Sequence, residues 1–234
     1  MVDKPGRRKK GGHRKAYLGL TAVVLTLLAG AGYLAISGQI PFLKGSTTCS
    51  TASVTVTEVR LNSSSPVYAN ISTSMGTFEV KLFTAQAPKT VANFVSLSES
   101  GFYDNLLWWR VEPGFVIQTG DPTTRCGAGQ RTEWGTGPSP TSVPFENNSL
   151  RNYEGYLGMA STGPGVGGGS QFYINLSNST SNLSLDGKYA VFGKVVKGLG
   201  VVLSIGSVPV EAIGNVHEPV SPVYVYSVTI LPGP

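Results

Sequence analysis

Past residue 66 the chain consists largely of short runs in which apolar and polar residues alternate, the spacing expected of strands with one buried face. Tyr68 to Ser74 and Thr77 to Phe83 alternate on either side of Met75-Gly76 and predict a hairpin. Ala87-Pro88 then opens a helix. Pro suits the first turn, Val91, Phe94, Val95 and Leu97 form an apolar stripe, and Gly101 supplies a stop. Short strands between Gly- and Pro-rich turns follow at Leu106 to Arg110, Phe115 to Thr119, Tyr156 to Ala160, Phe172 to Asn175 and Ala190 to Val195. A second helix is predicted from Gly198 to Ile205, weakened by Gly198 and Gly200, since glycine inside a helix costs about 1 kcal/mol against alanine. Val223 to Leu231 alternates again as a closing strand. Many strands with two helices, and no strand–helix repeat, predict a mainly β protein. Its antiparallel sheet is expected to close into an eight-stranded barrel, which leaves no edge exposed.

The first part of the chain reads differently. Residues 1–16 are a basic tail, and Tyr17 to Leu43 carries no charge. The twenty mostly apolar positions from Tyr17 to Ile36 would span a hydrocarbon layer of roughly 30 Å as a helix. Residues 17–40 are therefore expected to form a transmembrane signal-anchor helix. The preceding cations would hold the N-terminus in the cytoplasm and place everything after the helix outside. The rival is a cleaved signal peptide with Ala29-Gly30-Ala31 at its cut, which exports the same domain. Residues 41–66, rich in Ser and Thr, read as a linker with one edge strand near Val54 and Val56, and residues 67–232 as the globular domain.

Charge removes one class of function. The net charge of +5 comes from the tail, which holds seven of the eighteen Lys and Arg against one acid. The remainder has eleven bases and twelve acids, so it lacks the basic face that nucleic acid requires. Two cysteines, Cys49 and Cys126, form a disulfide or remain two thiols; an oxidising compartment favours the bond. Six of eleven asparagines stand in N-x-S/T sequons (Asn62, Asn70, Asn147, Asn175, Asn178 and Asn182), which carry sugar only in a cell that glycosylates exports. The two histidines are His13 in the tail and His217 near the end, so no hydrolytic triad or metal cluster is in prospect, and no cofactor is expected.

Two strings carry the candidate chemistry: W-R-V-E-P-G-F-V-I-Q-T-G-D from Trp109 to Asp121, and G-M-A-S-T-G-P-G-V-G-G-G-S-Q-F-Y-I from Gly158 to Ile174. Each sets polar groups of fixed reach (Arg110, Gln118, Gln171) among large apolar ones (Phe115, Met159, Phe172, Tyr173). That is the make-up of an apolar pocket with a few directed hydrogen bonds. Phe172 should face the core, because its neighbour in an alternating strand faces the other way. With Met75 to Val95 and Leu185 to Val195 (L-D-G-K-Y-A-V-F-G-K-V), these strings resemble, in order and spacing, the cyclophilin-type peptidyl-prolyl cis-trans isomerases over residues 67 to 231. The cationic tail and apolar run suggest a membrane-anchored, prokaryotic-style member.

The resemblance implies a cyclophilin-like barrel and a role for each matching residue. Arg110 falls on the catalytic arginine, with Gln118 and Gln171 helping to hold it and the substrate backbone. Phe115, Val116, Tyr173 and Leu185 fall on the proline pocket, flanked by Met159 and Tyr189, while Ala160 and Ser161 fall on the segment that binds peptide main chain. Proline-containing polypeptides are the implied partners. Ser184 stands where many members carry Trp, which argues against strong cyclosporin binding. Tyr173 replaces a common Phe and places a hydroxyl at the pocket wall, and Pro122 to Asn148 diverges from the family. Two other readings stay open: a proline-peptide binding module with little turnover, and an adhesin-like surface domain.

Overall fold

The alternation over residues 67 to 83 forms the predicted hairpin. Strands β1 (Val67–Thr73) and β2 (Gly76–Leu82) pair antiparallel, with Ala69 opposite Val80 and Ile71 opposite Phe78, all four buried. This computed structural model describes residues 55–57 and 66–232, which belong to one unit, Thr47–Pro234. The predicted basic tail, transmembrane helix, most of the linker and Cys49 lie outside the described residues. Among the described residues no helix is long and apolar enough to cross a membrane. Residues 55–57 are not strand; there Val56 packs on the core and the Thr57 carbonyl accepts from Ser96 Oγ.

Helix α1 (Pro88–Glu99) begins at the predicted proline but has no side-chain cap of its own. Its first free amides are satisfied from far along the chain: Lys89 N and Thr90 N donate to the Glu146 carboxylate at 3.0 and 2.7 Å. The chain continues through β3 (Leu106–Leu107), β4 (Arg110–Glu112), β5 (Val116–Thr119), β6 (Tyr156–Ser161), β7 (Gly168–Asn175), the short α2 (Thr180–Leu183) and β8 (Val191–Lys197). Helix α3 (Leu199–Ile205), a hairpin of β9 (Val210–Ile213) and β10 (Val216–Pro219), and β11 (Tyr224–Pro232) complete it. Gly198, expected to weaken α3 from within, instead stands just before it with φ 75°, a conformation that suits glycine.

The expected closed eight-stranded barrel is not what forms. Nine strands make one open, curled sheet in the order β3-β11-β1-β2-β8-β6-β7-β5-β4, and β9–β10 is a separate ribbon. The physical reason lies at the seam. The predicted strand from Leu106 to Arg110 is split, and its halves β3 and β4 are the two edges of the sheet. These halves are consecutive pieces of one chain, joined by Trp108 and Trp109, and they do not pair with each other. Three residue steps reach at most about 10 Å, roughly two strand spacings, so backbone continuity rather than a hydrogen-bond ladder carries the chain from one edge to the other.

Inside the curl, Phe172 of β7 meets the rings of Phe94, Tyr103, Trp108 and Phe192 nearly edge-on, at centroid distances of 5.4, 5.6, 5.9 and 6.2 Å. On the outer side, buried amides fix the loops around β7. Asn175 donates to Asn152 Oδ1 at 3.3 Å and to Tyr156 O at 3.0 Å, and Asn182 donates to Asn175 Oδ1 at 2.8 Å and Phe115 O at 2.7 Å. Asn175 and Asn182 are fully buried, so neither sequon is open to a sugar in the folded domain. Asp186 accepts from Asn152 N (2.7 Å), Asn152 Nδ2 (3.2 Å) and Arg151 Nε (2.8 Å). Partial burial pushes its carboxyl up, but those hydrogen bonds and the Arg151 charge outweigh it and hold the group below the usual carboxylate range.

Phe172→Ala is expected to cost about 3–5 kcal/mol, read as a lowered midpoint in urea unfolding. Because the Asp186 pKa is depressed by folding, its contribution is present above the unfolded value of about 3.9 and is lost as pH falls through the folded value. Asp186→Asn should therefore lower the Tm at neutral pH and make its fall below about pH 4 shallower than in the parent, measured by thermal melts across that range.

Candidate functional site

The pleat decides which side chains reach the site. Arg110 on β4 stands opposite Gln118 on β5, Gln118 opposite Tyr173 on β7, and Tyr173 opposite Gly158 on β6. Cross-strand partners share a face, so these four positions form one row. The adjacent row, Val111, Ile117, Ile174 and Leu157, points the other way and is fully buried in the core. Gly158 has a steric role in this row: a Cβ there would strike the Tyr173 ring and hydroxyl.

Beside the row lies a cavity of about 330 Å³. Arg110 and Gln118 form part of its wall, with Phe115, Val116, Tyr173 and Leu185 as the apolar lining. Tyr189, Ala160 and Ser161 complete the predicted set around it. Tyr189 meets Tyr173 edge-on at 6.1 Å. Two predicted residues are placed elsewhere. Met159 is a core residue, because alternation along β6 turns it inward opposite Phe172. Gln171 does not line the cavity but stands behind Gln118. Phe172 lies in the core, as alternation requires.

Three hydrogen bonds lock the polar wall. Arg110 Nη1 donates to Gln118 Oε1 at 3.2 Å, Gln118 Nε2 to Gln171 Oε1 at 3.0 Å, and Gln171 Nε2 to the Gly135 carbonyl at 3.0 Å. On its other side Arg110 Nε donates to Glu112 Oε1 at 3.0 Å. Glu112 is held in turn by His217 of β10, through the backbone N at 3.2 Å and Nδ1 at 2.7 Å. Partial burial raises the Glu112 carboxyl, but the hydrogen bonds from His217 and Arg110 together hold it below the usual range, and it stays charged. Tyr173 Oη donates to Asn152 Oδ1 at 2.8 Å. Burial, reinforced by Tyr189 and the Asp186 charge, pushes its phenol far above the ordinary value, so the hydroxyl remains a neutral donor.

The sequence reading did not single out Gly135, Glu112 or His217 as site members. Trp109 and Gly135 also line the cavity, and a Cβ at Gly135 would collide with the Trp109 indole. Gly135 belongs to the divergent segment, which is anchored by the buried Asp121 carboxylate. That group accepts from Thr123 N at 2.8 Å, Gly137 N at 3.2 Å and Gly135 N. Nothing in the local pattern marked Gly135, whereas Glu112 was legible as the residue two positions from Arg110 on the same strand face. Cys126 in this segment is disulfide-bonded. Among the described residues no three His, Cys, Asp or Glu side chains gather as a metal site would require.

A charged fork fixed at the lip of an apolar cup suits a reaction in which no proton or electron moves. Rotation about a Xaa-Pro bond is slowed by amide resonance, and a catalyst must grip the ring while stabilising the twisted bond. The comparisons agree with that chemistry. Residues 68–230 match the family model described as cyclophilin type peptidyl-prolyl cis-trans isomerase. The chain is 36% identical over 174 residues to peptidyl-prolyl cis-trans isomerase CYP18-2 of Arabidopsis thaliana, covering 71% of this chain and 95% of the relative. It is 40% identical over 143 residues to peptidyl-prolyl cis-trans isomerase-like 1 of Aspergillus niger, covering 58% and 79%. The crystal structure of a cyclophilin type isomerase of Cryptosporidium parvum superposes with a TM-score of 0.60 at 31% identity, covering 72% of this chain and 99% of that one. The same Cryptosporidium protein was also solved in the presence of the dipeptide Ala-Pro. By the extent of these matches, the chain belongs to the cyclophilin-type peptidyl-prolyl cis-trans isomerase family.

Proposed function

We propose that this protein is a membrane-tethered isomerase that accelerates rotation of Xaa-Pro bonds in extracytoplasmic proteins and so assists their folding. The observation that carries the catalytic part is the Arg110 guanidinium, gripped by Gln118 and Glu112 beside the cavity lined by Phe115, Val116, Tyr173 and Leu185. The apolar wall takes the pyrrolidine ring of a substrate proline. As the amide twists, resonance is lost and a lone pair develops on the prolyl nitrogen, which a preorganised cation stabilises more than it stabilises the planar ground state. Arginine suits this role because it stays charged and its planar fork can be fixed by neighbouring acceptors. Ala160 and Ser161, at the end of β6, are assigned to the substrate main chain. The relative solved with Ala-Pro supports proline-containing peptides as the ligand class.

The location is part of the proposal. Support comes from the sequence, a cationic stretch of residues 1–16 ahead of an uncharged run, and from the disulfide at Cys126, which suits an oxidising compartment. Cys49, the only other cysteine in the chain, is the partner assigned to it. A prokaryotic-style host rests on the same N-terminal pattern alone.

Arg110→Ala is expected to lower kcat/KM on a Xaa-Pro peptide by about 100-fold, the scale of removing one preorganised donor, with an unchanged Tm. Unchanged activity would remove Arg110 from the mechanism. Saturable peptide binding by NMR without faster exchange in the parent protein would favour a binding module instead. For the location, a membrane-impermeant protease added to intact cells should digest the domain while the full-length chain fractionates with membranes. Recovery from the cytoplasm would overturn export, and a chain shortened to Ala31 would show a cleaved signal.

A further inference from the structure

We infer that Glu112 and His217 are positioning residues for Arg110, and that the β9–β10 hairpin is the element that sets them. The inference rests on Arg110 being the isomerising group. A free arginine side chain rotates about several bonds, and one acceptor leaves the guanidinium free to swing. Here two acceptors grip different edges of the fork, Gln118 at Nη1 and Glu112 at Nε. Glu112 is itself fixed at both oxygens: Oε1 also accepts from His217 N, and Oε2 pairs with His217 Nδ1. Its side chain is 16% exposed and that of Arg110 26%, so the contact is partly shielded from water.

The hairpin is held from its other side by the divergent segment. Arg131 Nε donates to the buried Glu218 at 2.7 Å and Nη2 to the Pro219 carbonyl at 3.0 Å, while Nη1 pairs with Glu211. Four residues further along that segment, the Gly135 carbonyl receives Gln171, which leads through Gln118 back to Arg110. The catalytic side chain therefore sits in a closed circuit. One arm is Glu112, His217, the neighbouring Glu218 and Arg131; the other is Gln118, Gln171 and Gly135. A shift of the hairpin would move one of the two grips on the guanidinium.

The test is a double-mutant cycle on the full-length protein. Glu112→Ala is expected to lower kcat/KM about tenfold, the scale of a charge-assisted hydrogen bond, with the loss in kcat and little change in KM. Glu112→Gln, which keeps an acceptor for Arg110 Nε, should recover most of it, and His217→Ala should lose about threefold. In an Arg110→Ala background Glu112→Ala should have no further effect, because a residue acting only through Arg110 is non-additive with it. Full activity in Glu112→Ala, or an undiminished further loss on top of Arg110→Ala, overturns the inference.

A second readout does not need turnover. The Arg110 Nε–H signal in NMR should exchange slowly with solvent in the parent and fast in Glu112→Ala, with His217→Ala intermediate at the same Tm. An unchanged signal overturns the positioning role. A parent protein without isomerase activity would instead overturn the function, and the Nε–H signal would still decide the positioning.

Discussion

The site depends on the two-residue repeat of the pleated sheet, which commits each side chain to the core or to the cavity with no intermediate choice. Arg110, Gln118, Tyr173 and Gly158 occupy one cross-strand row, and Val111, Ile117, Ile174 and Leu157 the next. A slip of one residue would bury Arg110 in β4, Gln118 in β5 or Tyr173 in β7, and turn Val111, Ile117 or Ile174 outward in its place. Core packing and catalytic geometry are therefore two readings of one register. The aromatic cluster around Phe172 stabilises the same register that aims its neighbour Tyr173 at the cavity.

The sheet gives direction but not rigidity, because β4 is a three-residue strand at an edge. Rigidity comes from buried polar groups with satisfied partners. Asn152, Asn175 and Asn182 are wholly buried and hydrogen-bonded to one another, to backbone carbonyls and to the pocket residues Phe115 and Tyr173. Leaving any of these amides unpaired would cost about 1–3 kcal/mol each, so the arrangement is specific as well as stable. The Tyr173 hydroxyl is thereby joined to this network and turned away from a purely apolar role.

Features written in local periodicity were legible in the sequence. The first hairpin, α1 and the inward turn of Phe172 follow from alternation or from helix punctuation, whereas Phe115, Val116 and Tyr173 were placed at the pocket by the resemblance. The resemblance supplied Arg110 and its partners. What could not be read depends on distant contacts. The split at Trp108-Trp109 looks like one continuous strand, and only the global curl reveals that the chain changes edges there. The β9–β10 hairpin carried a legible sign, the turn pair Gly214-Asn215, but its strands are short and polar and did not register as a core element. Met159 was assigned to the cavity by its place in the motif, whereas alternation along β6 already committed it to the core.

The polar circuit reaches the site from residues 122–148 largely through main chain. Pro122 to Asn148 contributes to the site chiefly through backbone and through Arg131, which braces the hairpin. A carbonyl such as that of Gly135 presents the same acceptor whatever the neighbouring side chains are, provided the loop keeps its path. Asp121 maintains that path by collecting amides from Gly135 and Gly137, and Gly135 is constrained by the indole beneath it. A contact made by main chain does not depend on which side chain the contacting residue carries. The grip on the charged fork from two sides does depend on side chains, those of Gln118 and Glu112.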